Sequence, residues 1–122
     1  MEYYRFIANG RGIYETVDKD CPKDDPRRLN KPDGSWLPKK GTDYPGAISF
    51  WTDFGVKKYF DSGLLNWHMS VIEGNVEVVI IEKPEKILYE DEYQIILMPD
   101  QLKVKDQMHF DRFLEKMKTV VR

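Results

Sequence analysis

Tyr93-Gln94-Ile95-Ile96-Leu97-Met98 is a run so apolar that the middle of a sheet is its natural place, and Glu90, Asp91 and Glu92 abut it directly. A chain carrying such a run must build a sheet and supply something to cover it. The strand-like Ile87-Leu88-Tyr89 comes before the carboxylates, so the charge lies between two extended segments. Alternation along a strand sends Glu90 and Glu92 to one side and Asp91 to the other. At the rim of a cleft, two such carboxylates can orient a ribose hydroxyl, receive a proton or stabilise positive charge developing on a sugar. At a hairpin, the same triplet is a solvated turn. The residue types fit both descriptions.

The 122 residues predict one domain with a single modest core. Nineteen basic against 21 acidic side chains leave a formal charge of -2, which argues against nucleic-acid binding through bulk electrostatics and leaves a local basic patch open. Cys21 is the single cysteine, so no intramolecular disulfide forms. A reducing cytoplasm is the expected setting. Residues 1–8 carry no charged, apolar leader, and no window approaches the roughly 20 apolar residues that span a bilayer. No membrane partner is therefore expected.

Residues 3–8 read as a strand closed by the turn pair Asn9-Gly10. Arg5 interrupts it. Its guanidinium must reach solvent, pair with an acid, or face a cleft where it grips a carboxylate or phosphate. Residues 12–17 suit either a short helix or a second extended segment. From 18 to 45 the periodicity dissolves, with Pro22, Pro26, Pro32, Pro38 and Pro45 excluding a long helix or a central strand. A loop of that length is usually functional or mobile. Within it, Trp36 and Leu37 read as an anchor or as a cover over a bound base. Arg27 and Arg28 read as a solvated pair or as a phosphate spot.

Residues 47–52 read as a strand with Ser49 and Trp51 on one face. Asp53 is placed to cap a helix over 54–60, whose Val56, Tyr59 and Phe60 share a face. Residues 64–72 fit alternation from Leu65 onward better than a helix. Residues 76–81 have the composition of a buried strand. Residues 102–104 suit a short edge strand, and Asp106 is placed to cap a helix over 107–121. That helix has an apolar stripe of Phe110, Phe113, Leu114, Met117, Val120 and Val121 suited to covering one face of the sheet. The expected class is α+β.

The chemistry narrows by residue type. His68, His109 and Cys21 give no metal-ligand spacing, so no metal is expected. Cys21-Pro22 lacks an orienting partner for a nucleophile, Asn9-Gly10-Arg11-Gly12 lacks the spacing and lysine of a phosphate loop, and Ser49 has no identifiable base. What remains is a strand arginine, a strand serine followed by a short aromatic helix, and a late carboxylate pair.

In that order the chain resembles a minimal member of the ADP-ribosyltransferase-like superfamily, in the branch marked by Arg, Ser and Glu-x-Glu. Tyr4-Arg5-Phe6 matches the first element, Ile48-Ser49-Phe50-Trp51-Thr52 the second, and residues 90–97 the third. Trp51 stands where the family's Ser-x-Ser form has a second serine. The resemblance implies a split, mixed but mostly antiparallel sheet with the C-terminal helix packed on one face. It also implies NAD as the substrate cofactor. Arg5 would hold NAD phosphate or ribose, Ser49 would support the nicotinamide side and the catalytic glutamate, and Thr52 would stand in for the missing serine. Phe54 or Tyr59 would stack on nicotinamide. Glu92 would bond the ribose hydroxyl and stabilise the oxocarbenium-like sugar, and Glu90 would orient or deprotonate the acceptor. The partner would be a protein or other macromolecule, as suits a bacterial or phage effector. The competing expectation is a non-catalytic binding or inhibitor protein that blocks a partner or sequesters a nucleotide-like ligand.

Overall fold

The structure, a computed structural model, describes residues 1–120. Its centre is the pair β1 (Glu2–Ala8) and β4 (Val76–Glu82), antiparallel from Glu2↔Glu82 to Ala8↔Val76. β-Branched and aromatic residues fill both strands, as pleated surfaces buried on both sides require. Around this pair stand β2 (Arg11–Gly12), β3 (Ile48–Trp51), β5 (Tyr89–Glu90), β6 (Gln94–Leu97) and β7 (Val104–His109), in the order β5-β6-β3-β1-β4-β7 with β2 also on β1. Every pairing is antiparallel, so the sheet is not mixed. The class is α+β.

The helices α1 (Ile13–Asp20), α2 (Asp53–Asp61), α3 (Leu64–Val71) and α4 (Phe110–Val120) contribute to a core with Tyr4, Phe6, Trp51, Val78 and Ile80. Phe113 of α4 is fully buried against Tyr4 and Phe6, its ring centroid 5.3 and 5.7 Å from theirs. Truncating such a ring costs roughly 3–5 kcal/mol. The C-terminal helix thus packs on one face of the sheet. A second cluster on the opposite face holds Tyr3, Phe50, Val79, Ile81, Ile95 and Leu97, with Ile87 and Leu102 packed against it.

Several boundaries differ from expectation. Residues 107–109 extend the edge strand instead of opening a helix, because Val78↔Met108 and Val79↔Gln107 satisfy the outer edge of β4. Ladder hydrogen bonds there outweigh helix propensity. Asp106 turns its carboxylate to the Gln107 amide at 2.8 Å, and His109 Nδ1 accepts from the Asp111 amide at 3.2 Å at the start of α4. Of the expected stripe, Phe110 and Phe113 are buried and Leu114 and Met117 pack beside them. The Val120 side chain and all of Val121 lie outside the described parts. Residues 64–71 are helical, since Leu64, Leu65, His68 and Val71 share a face against the core. Gly63, at φ +80°, opens that helix. Thr52, not Asp53, caps α2, its Oγ1 accepting from the Gly55 amide at 3.0 Å. Residues 12–17 resolve into both of the forms considered, with Gly12 ending β2 and Ile13 opening α1.

Residues 18–20 belong to α1, and the rest of the proline-rich stretch carries two short 3-10 turns, Pro26–Asn30 and Lys40–Asp43. Trp36 anchors it, its ring centroid 6.1 Å from Trp51 and 6.0 Å from Tyr93, with the Lys58 ammonium over its face. Arg27 is bound to Asp25, and Arg28 donates to the carbonyls of Cys21 and Pro22, so both arginines serve the turn.

Candidate functional site

The sheet opens along one edge of β1. β4 occupies the other edge throughout, so β2 and β3 must share this one. β3 meets it at Tyr4↔Trp51 and β2 at Ile7↔Gly12 and Ala8↔Arg11. Between them Arg5 and Phe6 have no strand partner on this side. A cavity of about 120 Å³ lies at the opening, lined by Arg5, Gly12, Tyr14, Ser49, Trp51 and Gln94 among others. Pro38 and Gly41 of the long loop also line it.

Arg5 reaches into this gap and donates from Nη1 to the Ser49 carbonyl at 3.2 Å. Gly12 leaves room for the guanidinium, since a Cβ there would lie 2.8 Å from Nη2. Among the described residues Arg5 forms no ion pair. Burial lowers its pKa, partly opposed by the field of Glu15. Gln94 of the same cavity lining is 5 % exposed, and among the described residues its amide nitrogen has no hydrogen-bond partner. Buried polar groups are rarely left so.

The other expected site residues stand elsewhere. Glu90 is exposed on β5 and pairs with Lys83 at 3.7 Å. Glu92 is exposed beyond it, and neither residue lines the cavity. The alternation expected to align them stops at Asp91, which folds the chain into a turn. Its carboxylate accepts from the Tyr93 amide (2.8 Å), the Gln94 amide (2.9 Å) and the Tyr89 hydroxyl (2.9 Å). Thr52 Oγ1 is committed to the α2 cap and to the Glu92 carbonyl at 2.5 Å. Phe54 lies outside the cavity against Tyr93, in an apolar groove between α2 and Met117. Tyr59 is fully buried behind the cavity wall, stacked on Trp51 at 5.2 Å and hydrogen-bonded to His68 Nδ1.

The structure therefore brings Arg5 and Ser49 together and adds Gln94, Trp51, Tyr14 and Gly12, which sequence reasoning did not select. Gln94 carried a usable signal, as the polar member of an otherwise apolar strand. No protein-family model, curated protein or solved structure matches the chain. Among the described residues no cluster of His, Cys, Asp or Glu has the arrangement to hold a metal, and no helix is long and apolar enough to cross a membrane.

Proposed function

We propose that this chain is a binding domain that takes a nucleotide-like ligand at the cavity between β1 and β3. One observation carries the proposal: a guanidinium partly withdrawn from water, with no acid paired to it among the described residues, lining a cavity. Withdrawing a cation from water is unfavourable unless an anion or acceptor compensates, and a ligand phosphate supplies one in bidentate form. The aromatic rings of Tyr14 and Trp51 at the same cavity suit a ligand that also carries a ring. The free, buried thiol of Cys21 suits a reducing cytoplasm. Calorimetric titration with NAD and with AMP tests the proposal: wild type binds at least one of them and Arg5→Gln weakens that binding at least tenfold, whereas wild type with no heat change for either overturns it.

ADP-ribosyl transfer to a macromolecule is the second reading. It rests on the resemblance and on the nearness of Glu92 in sequence to Gln94 of the cavity wall, although the Glu92 side chain is exposed and does not line the cavity. Nicotinamide release and label transfer from NAD in lysate, both lost in Glu92→Gln, would make it the first. Release by neither form leaves binding alone.

A further inference from the structure

The cavity is too small for a whole nucleotide. Pockets that enclose ligands of that size span about 300–1,000 Å³, against about 120 Å³ here. One terminal group of the ligand enters, and the remainder must lie outside. The groups waiting for it are weighted towards donors. The Arg5 guanidinium has nitrogens beyond the one bound to Ser49, the Gln94 amide nitrogen is buried without an acceptor among the described residues, and Ser49 also lines the space. Among the described residues no carboxylate lines the space to accept from a ligand hydroxyl or to attract a cationic ring. A cation together with neutral polar side chains around one small void suits an oxyanion.

Outside the cavity the surface continues the same chemistry. A groove of about 460 Å³ shares Tyr14 and Pro38 with the cavity and is lined further by Lys31, Ser35, Leu37 and Lys39. Among the described residues Lys31 and Lys39 form no ion pair. Asp33, the nearest acid in sequence to Lys31, spends its carboxylate on the amide and hydroxyl of Ser35, and Asp43, the nearest to Lys39, pairs with Lys40.

Resting on the nucleotide-binding reading, we infer that the group received between Arg5 and Gln94 is a terminal phosphate. The nucleoside would lie across Tyr14 in the lysine-lined groove. Gln94 is then a specificity-determining residue: its neutral amide donates to the phosphate, where a carboxylate would repel it. AMP and adenosine differ only by this group, so their affinity ratio isolates it from general damage to the fold.

Calorimetry at low salt should give AMP at least about tenfold tighter binding than adenosine, as charge-assisted hydrogen bonds of this kind supply. Orthophosphate should compete with AMP. Gln94→Glu should bring the ratio close to one. The exposed variant Lys39→Glu, which leaves the cavity intact, should lower AMP affinity more than adenosine affinity. Equal binding of AMP and adenosine by wild type overturns the inference and leaves the nucleotide reading standing. Binding of neither, nor of NAD, overturns both. A ratio retained in Gln94→Glu removes Gln94 from the role.

Discussion

Arg5 donates to the backbone carbonyl of Ser49 at 3.2 Å, bridging with a side chain a gap that the β1–β3 ladder leaves open. The guanidinium is thus fixed by the sheet on one side and limited by Gly12 on the other. Gly12→Ala tests that limit. At φ -58° and ψ 148° the backbone accepts alanine, but the new Cβ would stand 2.8 Å from Nη2 and 3.3 Å from Cζ. The expected outcome is weaker nucleotide binding in calorimetry with thermal stability changed by less than about 1 kcal/mol.

Gly55→Ala should act in the opposite sense to the usual rule. In a helix interior alanine normally stabilises by about 1 kcal/mol relative to glycine. Here the Cβ would fall 2.2 Å from the Tyr93 carbonyl oxygen and 2.6 Å from the Trp51 ring. The obstacle is largely backbone, so α2 must move away from the β5–β6 turn. A loss of roughly 2–4 kcal/mol is expected in urea titration.

The acidic triplet divides by role. Asp91→Ala removes an acceptor from two amides and a tyrosine hydroxyl and should cost about 1–2 kcal/mol. Glu90→Gln and Glu92→Gln touch exposed side chains and should stay within about 0.5 kcal/mol of wild type. Chemical denaturation of the three variants separates a turn that organises the hairpin from a pair that does not.

His68 makes stability depend on pH. It is 3 % exposed, and burial, with the fields of Lys31 and Arg28 adding, holds its pKa down at about 4 against 6.5. The unfolded chain therefore takes up the proton first as pH falls. The contribution is fully present above pH 6.5 and is lost progressively towards pH 4, on the order of 3 kcal/mol in all. Urea midpoints measured from pH 7.5 to 4.5 should fall in wild type, and the part due to this residue should vanish in His68→Gln.

Strands β1, β3, β4 and β6 were legible because β-branched and aromatic runs bounded by glycine, proline and asparagine describe pleated, buried surfaces directly. The β7–α4 boundary was not. Gln107 and Met108 are good helix formers, and only the open edge of β4, supplied from residues 76–82, makes them a strand. α3 was misread for a related reason: Trp67 and Met69 suggested alternation, while the face that decides the matter is set by α1 and α2 packing against it. At the site, Arg5 and Ser49 stood out as polar residues within strands. Glu90 and Glu92 drew attention as charge, but the side chain of Asp91 between them bends the chain, and alternation carries no information across such a bend. Gln94 gains its meaning only from the gap two strands away.

Thr52 offers one oxygen to two neighbours, receiving the Gly55 amide and giving its proton to the Glu92 carbonyl. The first turn of α2 and the tip of the β5–β6 hairpin are thereby fastened at a single atom. Displacing Thr52 loosens both at once, so their amide protons are expected to exchange with solvent at similar rates. Hydrogen exchange is expected to report the cavity wall that carries Trp51 and Gln94 as one cooperative piece.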